Sequence, residues 1–244
     1  MKKRISILLC IVIFGLIVAI ITVKIKSKSE IIGLDNKTIE FSSKEEIIRN
    51  ENINPEDILF SEMSIIELIY DASDVEALTK ESDAVAIVKF ISKEGTNISA
   101  ENGERLSTVC TNGEIEIKTI YYNNVELKEG DIVKYQRPNG VIKFSEYIKG
   151  QPKSHVDKLI KNIENSKGLT KEEMMDKYVL SYSYNNAQIE FDKEYLAYMK
   201  YFKESDTYII IGFEYGLREV NEDKILNNET KEYENLEDIV NKIK

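Results

Sequence analysis

The chain has 244 residues, of which 42% are hydrophobic and 31% are charged, and its formal net charge at pH 7 is −10. The apolar fraction is too large for a disordered chain, and the length suits one medium-sized domain with accessory segments. The excess of acidic residues argues against nucleic acid as a partner, because such a partner requires a basic surface.

The first 28 residues differ in composition from the rest of the chain. An uncharged run, Ile5–Val23, lies between two basic clusters, and residues 1–28 include no acidic residue. As a helix this run would be roughly 28 Å long, close to the thickness of the hydrocarbon core of a bilayer. The segment at the C-terminal end of this run, ITVKIKSKS, lacks the small-residue motif at which a signal peptide is cleaved. We therefore predict an uncleaved signal anchor at residues 1–28.

The basic start of this span predicts that the chain after it faces outward, although basic residues flank the span equally on both sides. We expect a single-pass protein of the cell membrane, with the lipid bilayer as the partner of residues 5–23 and the C-terminal part extracytoplasmic. Residues 29–244 carry a net charge of −16, since the first 28 residues contain six basic residues and no acid. Few cysteines and many Lys, Ile, Asn and Glu residues are typical of exported proteins of Gram-positive bacteria.

Residues 29–80 are predicted to be a tether with short helices. In SIIELIYDASDVEALTKESD, apolar residues recur at helical spacing. They are Ile65, Leu68, Ile69, Val75 and Leu78. This pattern predicts one or two short helices that lead into the next domain.

The segment after residue 80 has the alternation of β-strands. In DAVAIVKFISKEG, Asp83–Gly95, Val85 and Ile87 alternate with apolar neighbours, which predicts a strand buried on both faces. In the following STVCTNGEIEIKTIYYNN, isoleucines alternate with charged residues. Asn112-Gly113 is a hairpin-type turn signal, so this segment is either a pair of strands or one long bent strand.

A second turn follows at Lys128–Asp131, in VELKEGDIVKYQRPNG. After it, Val133, Tyr135 and Arg137 form one face of a predicted strand. The other face is formed by Ile132, Lys134 and Gln136. Pro138-Asn139-Gly140 ends this strand, because proline cannot donate to a ladder and glycine tolerates positive φ.

A helical insert is predicted at about residues 152–178. The apolar positions of SHVDKLIKNIENSKG follow helical spacing, and the pattern closes near Gly168. Capping boxes are predicted at Ser154 with Asp157 and at Thr170 with Glu173. Strand patterns return in YVLSYSYNNAQIEF, KEYLAYMKYF and DTYIIIGFEYGLREV, and residues 221–244 end in an amphipathic helix that we expect to contact its own domain.

The order of these motifs resembles a group of exported bacterial domains with an OB-like barrel, of the netrin and metalloprotease-inhibitor type. The matching positions are Ser82, Asp83, Val85, Val88, Lys128, Gly130, Asp131, Gln136, Pro138, Gly140, Glu194, Tyr195, Leu196 and Gly216. The resemblance implies a mainly β (α+β) fold: an OB-like antiparallel β-barrel over residues 81–220 with a helical insert, preceded by a transmembrane helix. Asn139 and Asp192-Lys193 depart from the glycines of the group, and the disulfides of the inhibitors are missing.

Few residues offer nucleophilic or metal chemistry. Cys110 is the only cysteine after the predicted anchor, and His155 is the only histidine, so a disulfide and a His/Cys zinc site are excluded from residues 29–244. Cys110 with His155 could form a thiol nucleophile and its base, but a buried strand residue is the preferred interpretation. The acids Glu51, Glu56, Asp57 and Glu62 lack the ligand spacing of a calcium loop, and a solvated face is preferred. We predict no cofactor.

Tyrosine is the most abundant aromatic residue, with 14 copies. Tyr182 and Tyr184 share one strand face, and Tyr195 and Tyr198 follow close by. These four positions are a candidate partner-binding face for an envelope protein or a glycan. The preferred alternative is that they fill the walls of the barrel with their hydroxyls toward water.

The sequence thus favours a membrane-anchored extracytoplasmic module of the cell envelope that binds or interacts without catalysis. A carboxylate-based envelope hydrolase is the alternative, and it would require two acids that converge in a pocket. A regulatory ectodomain is a third hypothesis, and the four residues before the span leave little chain to relay a signal.

Overall fold

The computed structural model describes residues 44–45, 47–63, 68–98, 108–183 and 187–243. The predicted membrane anchor at residues 5–23 and Tyr184 lie outside these ranges. Within them, no helix combines the length and the hydropathy that a membrane crossing requires.

The described part of the chain is mainly β, with short helices between the strands. Its strands, in chain order, are β1 (Ile58–Met63), β2 (Ala84–Phe90), β3 (Glu94–Ile98), β4 (Thr108–Asn123), β5 (Ile132–Pro138), β6 (Gly140–Lys143), β7 (Tyr178–Tyr182), β8 (Glu194–Phe202), β9 (Thr207–Ile210), β10 (Leu217–Asn221), β11 (Lys224–Leu226) and β12 (Tyr233–Asn235). The helices are α1 (Val75–Glu81), α2 (Phe144–Tyr147), α3 (Lys153–Lys167), α4 (Lys171–Met175), α5 (Phe213–Gly216) and α6 (Leu236–Ile243).

The larger of two sheets has the strand order β12-β11-β10-β8-β2-β4-β5-β9, and β3 pairs with β4 beside this path. One edge of β8 pairs first with β10 and then, from Met199 to Phe202, with β9. Because β9 also pairs in parallel with β5, the strands β8, β2, β4, β5 and β9 form a closed cycle of pairings.

Strand β2 is buried on both faces, as its pattern predicts. Ala84, Ala86, Val88 and Phe90 contribute to one core cluster, which also contains residues of β4, β5, β8 and β9. The alternate residues of β2 contribute to a second core, on the opposite face, with α1 and α6. The C-terminal helix therefore contacts its own domain, as expected, through Ile239, Val240 and Ile243.

The smaller sheet has the order β1-β7-β6 and contacts the helices between β6 and β7. The predicted helical insert is confirmed, since α3 covers Lys153–Lys167 and ends at Gly168 in the left-handed region, with φ 67°. The capping box of Thr170 with Glu173 is present. The one predicted at Ser154 is wrong, because α3 begins at Lys153 with Pro152 in the N-cap position, and no side chain caps it.

The predicted tether does not describe residues 47–63. Strand β1 pairs in parallel with β7, and its residues Ile58 and Leu59 are buried. The helix predicted from residue 64 is also wrong in part: Leu68 and Ile69 are not helical, and α1 begins at Val75. Residues 64–67 lie outside the described ranges.

The turn predicted at Asn112-Gly113 is wrong, and the alternative of one long strand is confirmed. Strand β4 runs through both residues from Thr108 to Asn123. Gly113 instead allows a close approach between backbones, because a Cβ there would overlap the carbonyl of Ser92. The predicted turn at Lys128–Asp131 is confirmed: Gly130 has φ 88°, and the carboxylate of Asp131 accepts a 2.8 Å bond from the backbone N–H of Lys128.

Candidate functional site

Three of the four tyrosines of the predicted partner-binding face are buried in the described structure. Tyr182, Tyr195 and Tyr198 are at most 2% exposed and belong to three different core clusters. The Tyr195 hydroxyl donates to the carbonyl of Gln188 at 3.0 Å and accepts from the N–H of Glu190. The three described positions therefore contribute core packing, and they offer no area to a protein or glycan partner. Tyr184 lies outside the described residues.

The thiol of Cys110 has the features of a buried strand residue. It lies in β4 opposite Pro138 and is 3% exposed. Burial raises the pKa of the Cys110 thiol to about 12, and burial alone accounts for the rise. Since the thiolate is the nucleophile, this environment disfavours the nucleophile hypothesis, and no interaction with His155 alters the pKa of the thiol.

Three acidic residues of segment 51–62 form ion pairs or hydrogen bonds with three different residues. Glu51 pairs with Lys93 at 2.8 Å, Asp57 pairs with Lys177 at 2.9 Å, and Glu62 accepts a hydrogen bond from the Tyr147 hydroxyl. Among the residues that the structure describes, no group of three or more His, Cys, Asp or Glu side chains could hold a metal ion.

Arg137 is a charged residue that the fold buries. It is 6% exposed, and it lies on the same face of β5 as Tyr135, which belongs to the core cluster shared by β2, β4, β5, β8 and β9. The Nη1 group donates a 2.7 Å hydrogen bond to the carbonyl of Ala187. Across the described ranges, no carboxylate forms an ion pair with this guanidinium. Burial lowers the pKa of Arg137 to about 10.

Two cavities share Arg137 and Pro138 in their walls. The first is a cleft of about 40 Å³ with a mixed lining, in which Ile47 and Ile189 accompany Thr111, Asn139 and Ser183. We call it the polar cleft because its lining is more polar than that of the second cavity. The second is an apolar cavity of about 180 Å³, which is lined by residues on either side of the β9 C-terminus and before α1. These residues are Leu68, Tyr70, Ile209, Ile210, Ile211, Gly212 and Phe213.

Asn139 holds the wall of the polar cleft in place. Its φ is 74°, in the left-handed region, and its side chain is bonded at both ends. The Nδ2 group donates to the Ser183 hydroxyl at 2.8 Å, while Oδ1 accepts from the Ser181 hydroxyl at 3.2 Å. These bonds fix the backbone directly after Arg137 and Pro138.

The hydroxyl of Tyr135, two residues before Arg137, is also buried. It finds no hydrogen-bond partner within the described residues, and such a group is costly to bury. Burial raises the pKa of this hydroxyl, the charge of Arg137 lowers it and Glu51 raises it. Tyr135 lines neither of the two cavities, so its hydroxyl is not part of the candidate site.

The sequence contained a signal for this site, although no function was assigned to it. The alternation in β5 puts Arg137 on one face with Val133 and Tyr135, so the pattern already places a charge among apolar residues. What the pattern could not give is the absence of a carboxylate partner for Arg137, since this depends on contacts between distant segments.

Comparison of the chain with protein-family models gave no match. Comparisons with curated proteins and with solved structures gave no significant match either.

Proposed function

We propose that this protein is a membrane-anchored, extracytoplasmic module of the cell envelope that binds a small ligand at Arg137, without catalysis. The observation that carries the proposal is the burial of Arg137, a residue that lines two cavities and has no carboxylate partner in the described residues. A buried charge is costly unless it is paired, so this position favours occupation by a ligand.

The pairing of the strands supports an OB-like barrel as the scaffold. An OB-fold is a five-stranded Greek-key barrel, and five strands form the closed cycle of pairings here. The antiparallel succession β2, β4 and β5 is linked back to β2 through β9 and β8. In the proposed barrel Arg137 is near one end, where β5 leaves the larger sheet.

The sequence supports the proposed location. The uncharged run Ile5–Val23 is long enough to span a bilayer, and its basic start favours an outward C-terminal part. Protease added to intact cells should then degrade a C-terminal tag on the full chain. A tag that is cut only after the membrane is permeabilised would contradict the extracytoplasmic location.

A carboxylate-based hydrolase has less support than a binding module. Glu214 and Glu229 are close enough to interact, and the pKa of Glu214 is raised by burial and by the charge of Glu229. Yet neither residue lines the two cavities that share Arg137. Glu229 accepts a 2.6 Å hydrogen bond from the Tyr215 hydroxyl, and this contact accounts for its position without a substrate.

A fragment screen on the full-length protein in nanodiscs tests the binding proposal. The library contains neutral, anionic and cationic fragments in equal number, and binding is followed through the Nε–Hε NMR signals of the arginines. We expect at least one fragment to shift the Arg137 signal and to lose affinity in Arg137→Gln. If no fragment of any charge shifts that signal, the proposed function is wrong.

A further inference from the structure

We infer that the ligand of the Arg137 site is a small monocarboxylate that carries an apolar group about the size of a phenyl ring. This inference rests on the proposed function and adds the chemical class of the ligand to it. The uncompensated charge of Arg137 and the size and lining of the apolar cavity support it.

The charge of the site requires an anion. Besides Arg137, the polar cleft is lined by Lys93 and Glu51, which form an ion pair at 2.8 Å. This pair is neutral overall, so the guanidinium of Arg137 is the one uncompensated charge among these three residues. Arginine has five N–H donors in a planar fork, and its bond to the Ala187 carbonyl uses only the Nη1 end. A monoanion with two acceptor oxygens matches the remaining donors.

The single uncompensated charge favours a carboxylate over a phosphate. A carboxylate carries one negative charge, whereas a phosphate carries up to two, so that one of them would lack a partner at Arg137. The cleft also offers one hydroxyl donor beyond the guanidinium, from Ser183, whose oxygen accepts from the Asn139 amide. The Thr111 hydroxyl already donates to the Asn139 carbonyl.

The second cavity determines the rest of the ligand. Its volume of about 180 Å³ is slightly larger than an engineered protein cavity of about 150 Å³ that binds benzene. Isoleucine and phenylalanine side chains supply much of its lining, so it favours an apolar group. Arg137 and Pro138 belong to both walls, so the inferred ligand places its carboxylate at Arg137 and its apolar group in the second cavity.

Calorimetry with matched probes tests this inference on the wild-type full chain in nanodiscs, with empty nanodiscs as the blank. 3-Phenylpropionate combines a carboxylate with a phenyl ring. 3-Phenylpropanamide has nearly the same shape without the charge, and acetate has the charge without the ring. We expect 3-phenylpropionate to bind at least tenfold more tightly than either. Equal affinity of the amide and the acid would overturn the inference.

Two variants locate the bound carboxylate. Arg137→Gln should reduce the affinity for 3-phenylpropionate at least tenfold and leave the weak affinity for the amide unchanged. Lys134→Gln removes the same charge from an exposed position of β5 and is the matched control, so its affinity should equal that of the wild type. An equal loss in both variants would mean that only the overall charge matters, and it would overturn the inference.

The screen and the calorimetry separate the two proposals. If fragments shift the Arg137 signal but every one of them is neutral or cationic, the binding function stands and the carboxylate inference is wrong. If no fragment shifts that signal and 3-phenylpropionate does not bind, both are wrong. The comparison of probes uses the wild-type protein, so the inference remains testable even if Arg137→Gln does not fold.

Discussion

At the scale of single residues, two arginines with the same exposure have different environments. Arg137 and Arg218 are each 6% exposed. Arg218 donates to the Glu234 carboxylate at 2.5 Å and to the Leu226 carbonyl at 2.8 Å, so a charge and a hydrogen bond both compensate its burial. Arg137 has a carbonyl alone within the described contacts. Arg218 is therefore a structural arginine, whereas the position of Arg137 suits a ligand.

The first prediction concerns the reactivity of the Cys110 thiol. A thiol whose pKa rises from about 9 to about 12 contains about a thousandfold less thiolate at pH 8. In a Cys10→Ser background, Cys110 is the only thiol. We therefore expect iodoacetamide to react with the folded protein at least about a thousandfold more slowly than with the urea-unfolded chain. Similar rates in both states would instead indicate an activated thiol, as the nucleophile hypothesis requires.

The sequence predicted some residue environments and not others, for a physical reason. Alternation along a strand is local, so it correctly put Arg137 on the same face as Tyr135. The burial of Tyr182, Tyr195 and Tyr198 depends on what covers each strand face. Composition cannot determine this, because a tyrosine suits a covered wall and an exposed binding face equally well.

At the scale of secondary-structure elements, strong local periodicity was sufficient to predict a helix or a strand. The apolar spacing in α3 and the alternation in β2 predicted both elements to within a few residues. Strand β1 was missed because it is held by parallel pairing with β7, more than 100 residues later in the chain. The turn predicted at Asn112-Gly113 was wrong because the sequence does not distinguish a glycine that permits close approach of two backbones from a glycine in a turn.

The helix caps yield the second prediction, with a matched control in the chain. Thr170 caps α4 through its bond with the backbone of Glu173, so Thr170→Ala should lower the free energy of unfolding by about 1 kcal/mol. Ser154 is exposed and provides no cap to α3. Ser154→Ala should therefore change the free energy of unfolding by less than about 0.5 kcal/mol. Urea denaturation followed by circular dichroism measures both. Equal effects would contradict the assignment of the caps.

At the scale of the whole molecule, Asn139 links the two sheets. Its backbone belongs to the larger sheet, since its N–H donates to Val109 and its carbonyl accepts from the Thr111 hydroxyl. Its side chain bonds to Ser181 in β7 and to Ser183 just after it. This residue therefore connects the cycle of strands to the smaller sheet at the point where the polar cleft lies. The sequence predicted only that the strand would end here, because the pairing of β6 with β7 spans the helical insert.

The third prediction follows from this link. Asn139→Gly keeps the left-handed backbone accessible but removes both side-chain bonds, so it should lower the free energy of unfolding by about 2 kcal/mol. Asn139→Ala should cost about 1 kcal/mol more, because a Cβ is unfavourable at φ 74°. Hydrogen exchange should show faster opening of β4 and β7 together in both variants, since the two sheets share this residue. If only β7 loses protection, the sheets unfold independently and Asn139 does not couple them.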